Sequence, residues 1–223
     1  MTKLQPLAAC SLAAATATAL LTGCSQGASA SAHAPAKPGD KDRKSSSTTY
    51  EVRGPASELS VDTTVGDVRV VASDRSGLKV TEKITYSADK PSTSHASRAG
   101  KVVLKDHDCR AGSCSVSYRI EVPERLVARI ASGGGDITGS ALSGNTVART
   151  KGGDVDLAFA EPPADVDTSS GGGDVDLALP AGRYAVRAQT GGGDRKVDVT
   201  TDNGSAHRVT AHSDGGDVTV ARR

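Results

Sequence analysis

Residues 168–179 read TSSGGGDVDLAL: three glycines, an aspartate, then a short alternating run. Such a stretch is either a loop that grips a ligand or a corner that the chain turns. Its recurrence favours the corner. The same punctuation appears as VGDVRV (65–70), GGGDIT (133–138), GGDVDL (152–157), GGGDRKVDV (191–199) and GGDVTV (215–220). The aspartates are Asp67, Asp136, Asp154, Asp174, Asp194 and Asp217, and from Asp136 onward they are 18, 20, 20 and 23 residues apart. A period near twenty marks a stacked repeat, whereas a catalytic loop has no reason to recur.

Each period holds two strand-like pieces. After the aspartate, Val155 and Leu157 alternate with Asp154 and Asp156, and Val175 and Leu177 with Asp174 and Asp176. This alternation describes a strand with one buried face. A second piece precedes the glycines, as in NTVARTK and RYAVRAQT. A single coil of this size cannot cover its own apolar row, but stacked coils can. The expected fold is all-β: a solenoid, like a parallel β-helix, with coils of about twenty residues and less regular N-terminal strands. The glycines are expected to supply positive-φ corners, and the aspartates to accept turn N–H groups. Stacked in register, neighbouring carboxylates would repel by about 1 kcal/mol in water and about 3.5 at an effective dielectric of 20. Hydrogen bonds to corner amides, splaying into solvent, or a bound cation such as calcium would relieve this. The twenty-residue period differs from the nine-residue period of calcium-binding rolls, so structural corners are favoured and no metal is assigned.

Arg195 and Lys196 push the fourth apolar pair back to Val197 and Val199, which predicts a bulge or wider corner there. Stretches between 48 and 130 such as ELSVDTTVGDVRVVAS, LKVTEKITYS, KVVLKD and SVSYRIEVP read as strands, and 87–100 as a loop. Almost no helix is expected. The last coil, ending in DVTVARR, is expected to be exposed and to form an open edge strand.

The first residues form a separate unit. Lys3 precedes an uncharged apolar run, Leu7–Leu21, that suits a signal-peptide core and is short for a membrane span. It ends in Leu21-Thr22-Gly23-Cys24, which resembles a bacterial lipobox; the resemblance implies cleavage before Cys24 and its acylation. The alternative is an ordinary secretory cut nearer Ala28-Ser29-Ala30. The expected organisation is a leader over 1–23, a disordered tether over 24–47 without large apolar side chains, and a folded domain over 48–223. Cys10 leaves with the leader. In an exported chain, Cys109 and Cys114, in HDCRAGSC, are expected to pair as a disulfide at a tight hairpin end. A metal set of His107, Cys109 and Cys114 lacks zinc-like spacing and a fourth ligand.

The net charge of +1 argues against nucleic acid as a partner. One phenylalanine, four tyrosines and no tryptophan argue against ring-walled pockets. No nucleophile elbow, phosphate loop or paired-histidine zinc motif is present, and His207 and His212 would face opposite sides of one strand. No cofactor is implied.

From about 48 to 223 the chain resembles the bacterial putative-adhesin family of β-strand repeats, a domain of unknown function. The resemblance rests on the serial Gly-Asp-apolar corners, on LSVDTTVGDVRV, and on the proline-led strands of VPERLVARIASGGGDI and LALPAGRYAVRAQTGGGD. It implies a β-solenoid-like fold, no enzyme activity and no catalytic residue. The combined reading is a noncatalytic protein, lipid-anchored on the extracytoplasmic face of the cell membrane, that binds an envelope protein or wall polymer or has a structural role. Two other readings are an accessory lipoprotein of an envelope-stress sensing system and a polysaccharide hydrolase on a β-helix. The scarcity of aromatic sugar platforms weighs against the hydrolase.

Overall fold

The computed structural model describes residues 42–223. The leader, Cys24 and most of the tether therefore lie outside the described residues. Eighteen strands form two nine-stranded sheets, and the described residues contain no helix.

The repeating unit is a coil of two strands. One strand lies in a back sheet, the chain turns a corner, and the next strand lies in a front sheet. Seven such coils are present in chain order: β2 (Glu58–Thr63) with β3 (Val68–Ser73), β6 (Lys101–His107) with β7 (Cys114–Pro123), β8 (Val127–Ser132) with β9 (Ile137–Leu142), β10 (Thr146–Thr150) with β11 (Val155–Phe159), β12 (Asp165–Ser170) with β13 (Val175–Leu179), β14 (Arg183–Thr190) with β15 (Arg195–Asp198), and β17 (Arg208–Ser213) with β18 (Val218–Arg222). Between coils the pairing is parallel and in register, as in Val155↔Val175 and Leu157↔Leu177. Like residues therefore stack on like residues. The front sheet buries Ile137, Val155, Leu157, Phe159, Val175, Leu177 and Leu179. The back sheet faces them with smaller groups, among them Ala128, Ala148, Thr150, Thr168, Ser170 and Ala211. In the middle coils large side chains from the front sheet and mostly small ones from the back fill the narrow interior, whereas towards the ends the back sheet adds Leu59, Leu104 and Tyr184.

Stacking order departs from chain order at both ends. The β2–β3 coil lies between β6–β7 and β8–β9, and the final coil, β17–β18, lies between β12–β13 and β14–β15. The expectation of an exposed last coil is thus corrected: Val218 and Val220 are fully buried, and β14–β15 ends the stack. The other end is closed by antiparallel strands. In the front sheet β1 (Lys44–Val52) pairs with β4 (Leu78–Tyr86), which pairs with β7; in the back sheet β5 (Ser92–Arg98) pairs with β6.

Three further expectations change. Residues 92–98, read as loop, form β5, an edge strand with almost every residue exposed. Residues 44–47, assigned to the tether, are paired to β4 from Lys44↔Tyr86 onward. The fourth repeat has no bulge: β15 follows β18 without a shift from Arg195↔Val218 to Asp198↔Ala221. Arg195 occupies an inward position, but at the last coil nothing stacks beyond it and it is exposed. The register shift falls instead between Leu157 and Phe159 opposite β9, where Ala141 has φ 57°.

Candidate functional site

The six aspartates chosen from sequence come together in one column along the corner edge. In spatial order they are Asp67, Asp136, Asp154, Asp174, Asp217 and Asp194. Each aspartate from Asp136 onward donates its backbone N–H to Oδ1 of the preceding one: Asp136 to Asp67 at 3.1 Å, Asp154 to Asp136 at 2.9 Å, and Asp174 to Asp154, Asp217 to Asp174 and Asp194 to Asp217 each at 2.8 Å. At the closed end, the Asp67 N–H goes to Ser117 Oγ at 3.2 Å. Of the three ways to relieve carboxylate repulsion, the corner uses amide donors. A hydrogen bond to an ionised acceptor is worth about 1.5–3 kcal/mol, comparable with the repulsion it opposes.

A second column, missed in the sequence reading, runs beside the first. The residue four before each aspartate is Ser or Thr: Thr63, Ser132, Thr150, Ser170, Thr190 and Ser213. Their hydroxyls donate across the coil boundary. Ser132 Oγ reaches the Gly66 carbonyl at 3.1 Å, Thr150 that of Gly135 at 2.9 Å, Ser170 that of Gly153 at 2.7 Å, Ser213 that of Gly173 at 2.7 Å and Thr190 that of Gly216 at 2.6 Å. The same oxygens accept corner amides of their own turn, such as Gly135 N–H to Ser132 at 2.9 Å and Gly173 N–H to Ser170 at 2.8 Å. The working motif is therefore Ser/Thr-x-x-Gly-Asp. The signal was present in the sequence as this fixed spacing.

The glycine before the aspartate is required for closeness. A Cβ on Gly135, Gly153, Gly173, Gly193 or Gly216 would overlap the carbonyl of the neighbouring coil. Among the glycines of the Gly-Asp corners only Gly66 has positive φ, at 145°, which corrects the expectation of positive-φ corners there.

The β6–β7 coil, which has no Gly-Asp corner, turns instead through the Cys109–Cys114 disulfide. The bridge is present as expected, but it spans a corner from back sheet to front sheet and not a hairpin end. Both sulfurs are thereby withdrawn from the His107, Cys109 and Cys114 set, and His107 Nε2 lies 2.9 Å from Ser94 Oγ. His207 Nδ1 lies 2.8 Å from the Pro163 carbonyl, and His212 Nε2 lies 2.8 Å from Asp214 Oδ1. These contacts occupy separate places.

A polar group also sits inside the closed end. Glu82 points inward in line with Val80 and Ile84, is 8% exposed, and accepts Thr93 Oγ1 at 3.1 Å. It lies opposite Tyr118, whose hydroxyl is buried without a partner among the described residues. Desolvation, then the Glu82 carboxylate, pushes the Tyr118 hydroxyl up, and the same two causes push Tyr50 up to about 12. Glu82 was not singled out from sequence; its signal is the alternation LKVTEKITY, which sets it in line with Val80 and Ile84.

The fold recurs in a solved structure. A putative cell adhesion protein from Clostridium sporogenes aligns over 81% of this chain and 100% of its own, at 14% identity and a TM-score of 0.58. A putative adhesin from Bacteroides fragilis aligns over 81% and 97% at 12% identity and a TM-score of 0.30. A putative lipid binding protein from Parabacteroides distasonis aligns over 78% and 96% at 11% identity and a TM-score of 0.24. Among curated proteins none matches. The Toastrack DUF4097 sequence profile matches residues 90–221, more than half of the chain. With its in-register coils and serial corners, this chain belongs to the Toastrack DUF4097 family.

Proposed function

We propose that this protein is a noncatalytic β-solenoid, lipid-anchored through Cys24 on the extracytoplasmic face of the cell membrane, that binds an envelope protein or wall polymer. One observation carries the reading: the carboxylates that recur along the chain serve as coil-to-coil acceptors in the corner column. They hold shape. The Clostridium sporogenes protein that shares the fold is named a putative cell adhesion protein, which agrees with a binding role at the cell surface. A bacterial lipoprotein carries more than one acyl chain, which holds a protein stably where one does not. A tether of twenty or so residues would place the solenoid within ~70 Å of the bilayer.

The test follows the full chain in its own cells. Labelling with an alkyne fatty acid should mark the protein, and Cys24→Ala should abolish the label and release the protein into the medium. Crosslinking of intact cells should then recover an envelope partner or wall material with the wild type. An unlabelled wild type overturns the anchor. Glycan fragments released by the pure protein overturn the noncatalytic reading. A specific stress regulon on deletion, with adhesion unchanged, would replace the binder with the accessory-lipoprotein reading.

A further inference from the structure

The two ends of the stack are chemically different. The closed end is finished by β1, β4 and β5. At the other end β15 is the last strand of the front sheet and pairs on one side only. The corner columns have a direction, and they stop there with unused groups. Every earlier aspartate Oδ1 accepts from the next coil, and Asp194 has no next coil. In every coil interface from Val68 to Val218 the residue after the aspartate donates its N–H to the next aspartate's carbonyl, as Val175 does to Asp217 at 2.9 Å and Val218 to Asp194 at 2.9 Å. Arg195 holds that position in the last coil. By the alternation of a parallel ladder, the backbone groups of Arg195, Val197 and Val199 face outward from the edge.

Edge strands with Arg and Lys normally resist pairing. The order Arg195-Lys196-Val197-Asp198 alters that outcome for one partner, a second copy of itself. A twofold axis perpendicular to the sheet and passing beside Val197 sets two copies of β15 antiparallel. Val197 then faces Val197 of the other copy as a hydrogen-bonded pair, with both of its free backbone groups used. Lys196 falls opposite Asp198 of the other copy, and Asp198 opposite its Lys196, as the closely spaced non-hydrogen-bonded pairs. Both members lie on the outer face, beside Thr219 and Ala221 of β18. Val197 and Val199 lie on the inner face and are only partly covered. The register keeps inner face with inner face, and the sheet already tolerates an antiparallel junction at β7–β4.

We infer that the open end of the solenoid is a self-association surface, where β15 of two copies joins the front sheets into one through reciprocal Lys196–Asp198 pairs. The contact is short. It lies well below the ~1,200 Å² of a stable interface, so association should depend on concentration, as expected for molecules crowded on a surface.

The experiment uses the full chain in cells. Val197→Cys places two thiols across the axis, where the ~5.5 Å Cα spacing of such a pair suits a disulfide. A disulfide-linked dimer is expected on non-reducing gels, whereas Asp198→Cys alone, facing Lys196, should give none. On the Val197→Cys background, Lys196→Asp or Asp198→Lys creates two like-charge pairs and should weaken dimerisation roughly tenfold. The exchange Lys196→Asp with Asp198→Lys should restore it. Light scattering on the wild type and on the charge variants, whose altered side chains are exposed, checks the result without the cysteine. Absence of dimer overturns the inference. So does a dimer formed equally by Asp198→Cys, or one indifferent to single reversal.

Discussion

At the residue scale, each corner position has its own constraint. Gly153, next to the aspartate, is closed in by the neighbouring coil, while Gly152 before it is not. A Cβ on Gly153 overlaps the Gly135 carbonyl, but one on Gly152 meets nothing nearer than Gly134 Cα at 3.9 Å. Gly153→Ala should therefore cost several kcal/mol, within the range of backbone-clash substitutions. Gly152→Ala should be neutral or gain about 0.5 kcal/mol by restricting the unfolded chain. Asp154→Ala removes the acceptor for the Asp174 amide and should cost about 1 kcal/mol. Asp154→Asn keeps an acceptor oxygen, removes a like charge, and should match or exceed the wild type at low salt. Urea midpoints on the four variants decide these points. Sequence showed the aspartates because their spacing repeats. It hid the reason for the glycines, because the clash involves the next coil and no local pattern records it. The Ser/Thr column was open to view at a fixed four-residue offset, but serine and threonine are so ordinary in turns that their regularity drew no attention.

At the element scale, parallel in-register pairing sets equal residues side by side and makes strand chemistry additive. On the outer face of the front sheet, Asp156 of β11 lies directly beside Asp176 of β13. Partial desolvation first, and then the Asp176 carboxylate, raises the Asp156 carboxyl above its ordinary value, with Arg69 opposing. A raised carboxyl pKa means that the folded state binds its proton more tightly than the unfolded state. Stability from this group therefore falls as pH rises through that range, and the penalty is complete at neutral pH. Asp156→Asn should raise the melting temperature at pH 7, by an amount under about 1 kcal/mol for so exposed a pair. The gain should vanish below the ordinary aspartate pKa, where both forms are neutral. A gain that is constant from pH 3 to 7 contradicts this account. Strands with a buried face were legible from alternation, although a charged residue at an inward position, Glu82, passed unnoticed because its type argues against burial. The strand β5 was not, because an edge strand paired only to β6 and exposed along its length has no apolar row to betray it. Arg195 misled for a related reason: at an end coil, an inward position has no outer neighbour to forbid a charge.

At the scale of the whole molecule, the chain locks itself by returning. After building the last coil with β14 and β15, it passes through β16 (Thr200–Thr201), beside the start of β14, and then inserts β17 and β18 one layer inward. Local periodicity is silent about this, since every coil carries the same pattern and any order of stacking satisfies it. The consequence is a C-terminal coil that behaves as core. Ends of a linear stack ordinarily fray first, because each coil is held only by its neighbours. Here β18 is held by β13 on one side and β15 on the other, and Val209, Ala211, Val218 and Val220 are all buried. Hydrogen exchange on the native protein should therefore find Val218–Val220 among the slowest amides, with exchange close to global unfolding. The free-edge amides of Arg195 and Val197 in β15, although earlier in sequence, should exchange much faster than those of β18. Removing residues 208–223 should then abolish cooperative unfolding, since the β14–β15 coil would lose the layer on which it rests. If the final coil instead exchanges first and its removal leaves the remaining transition intact, the coils stack in chain order and the returning insertion is wrong.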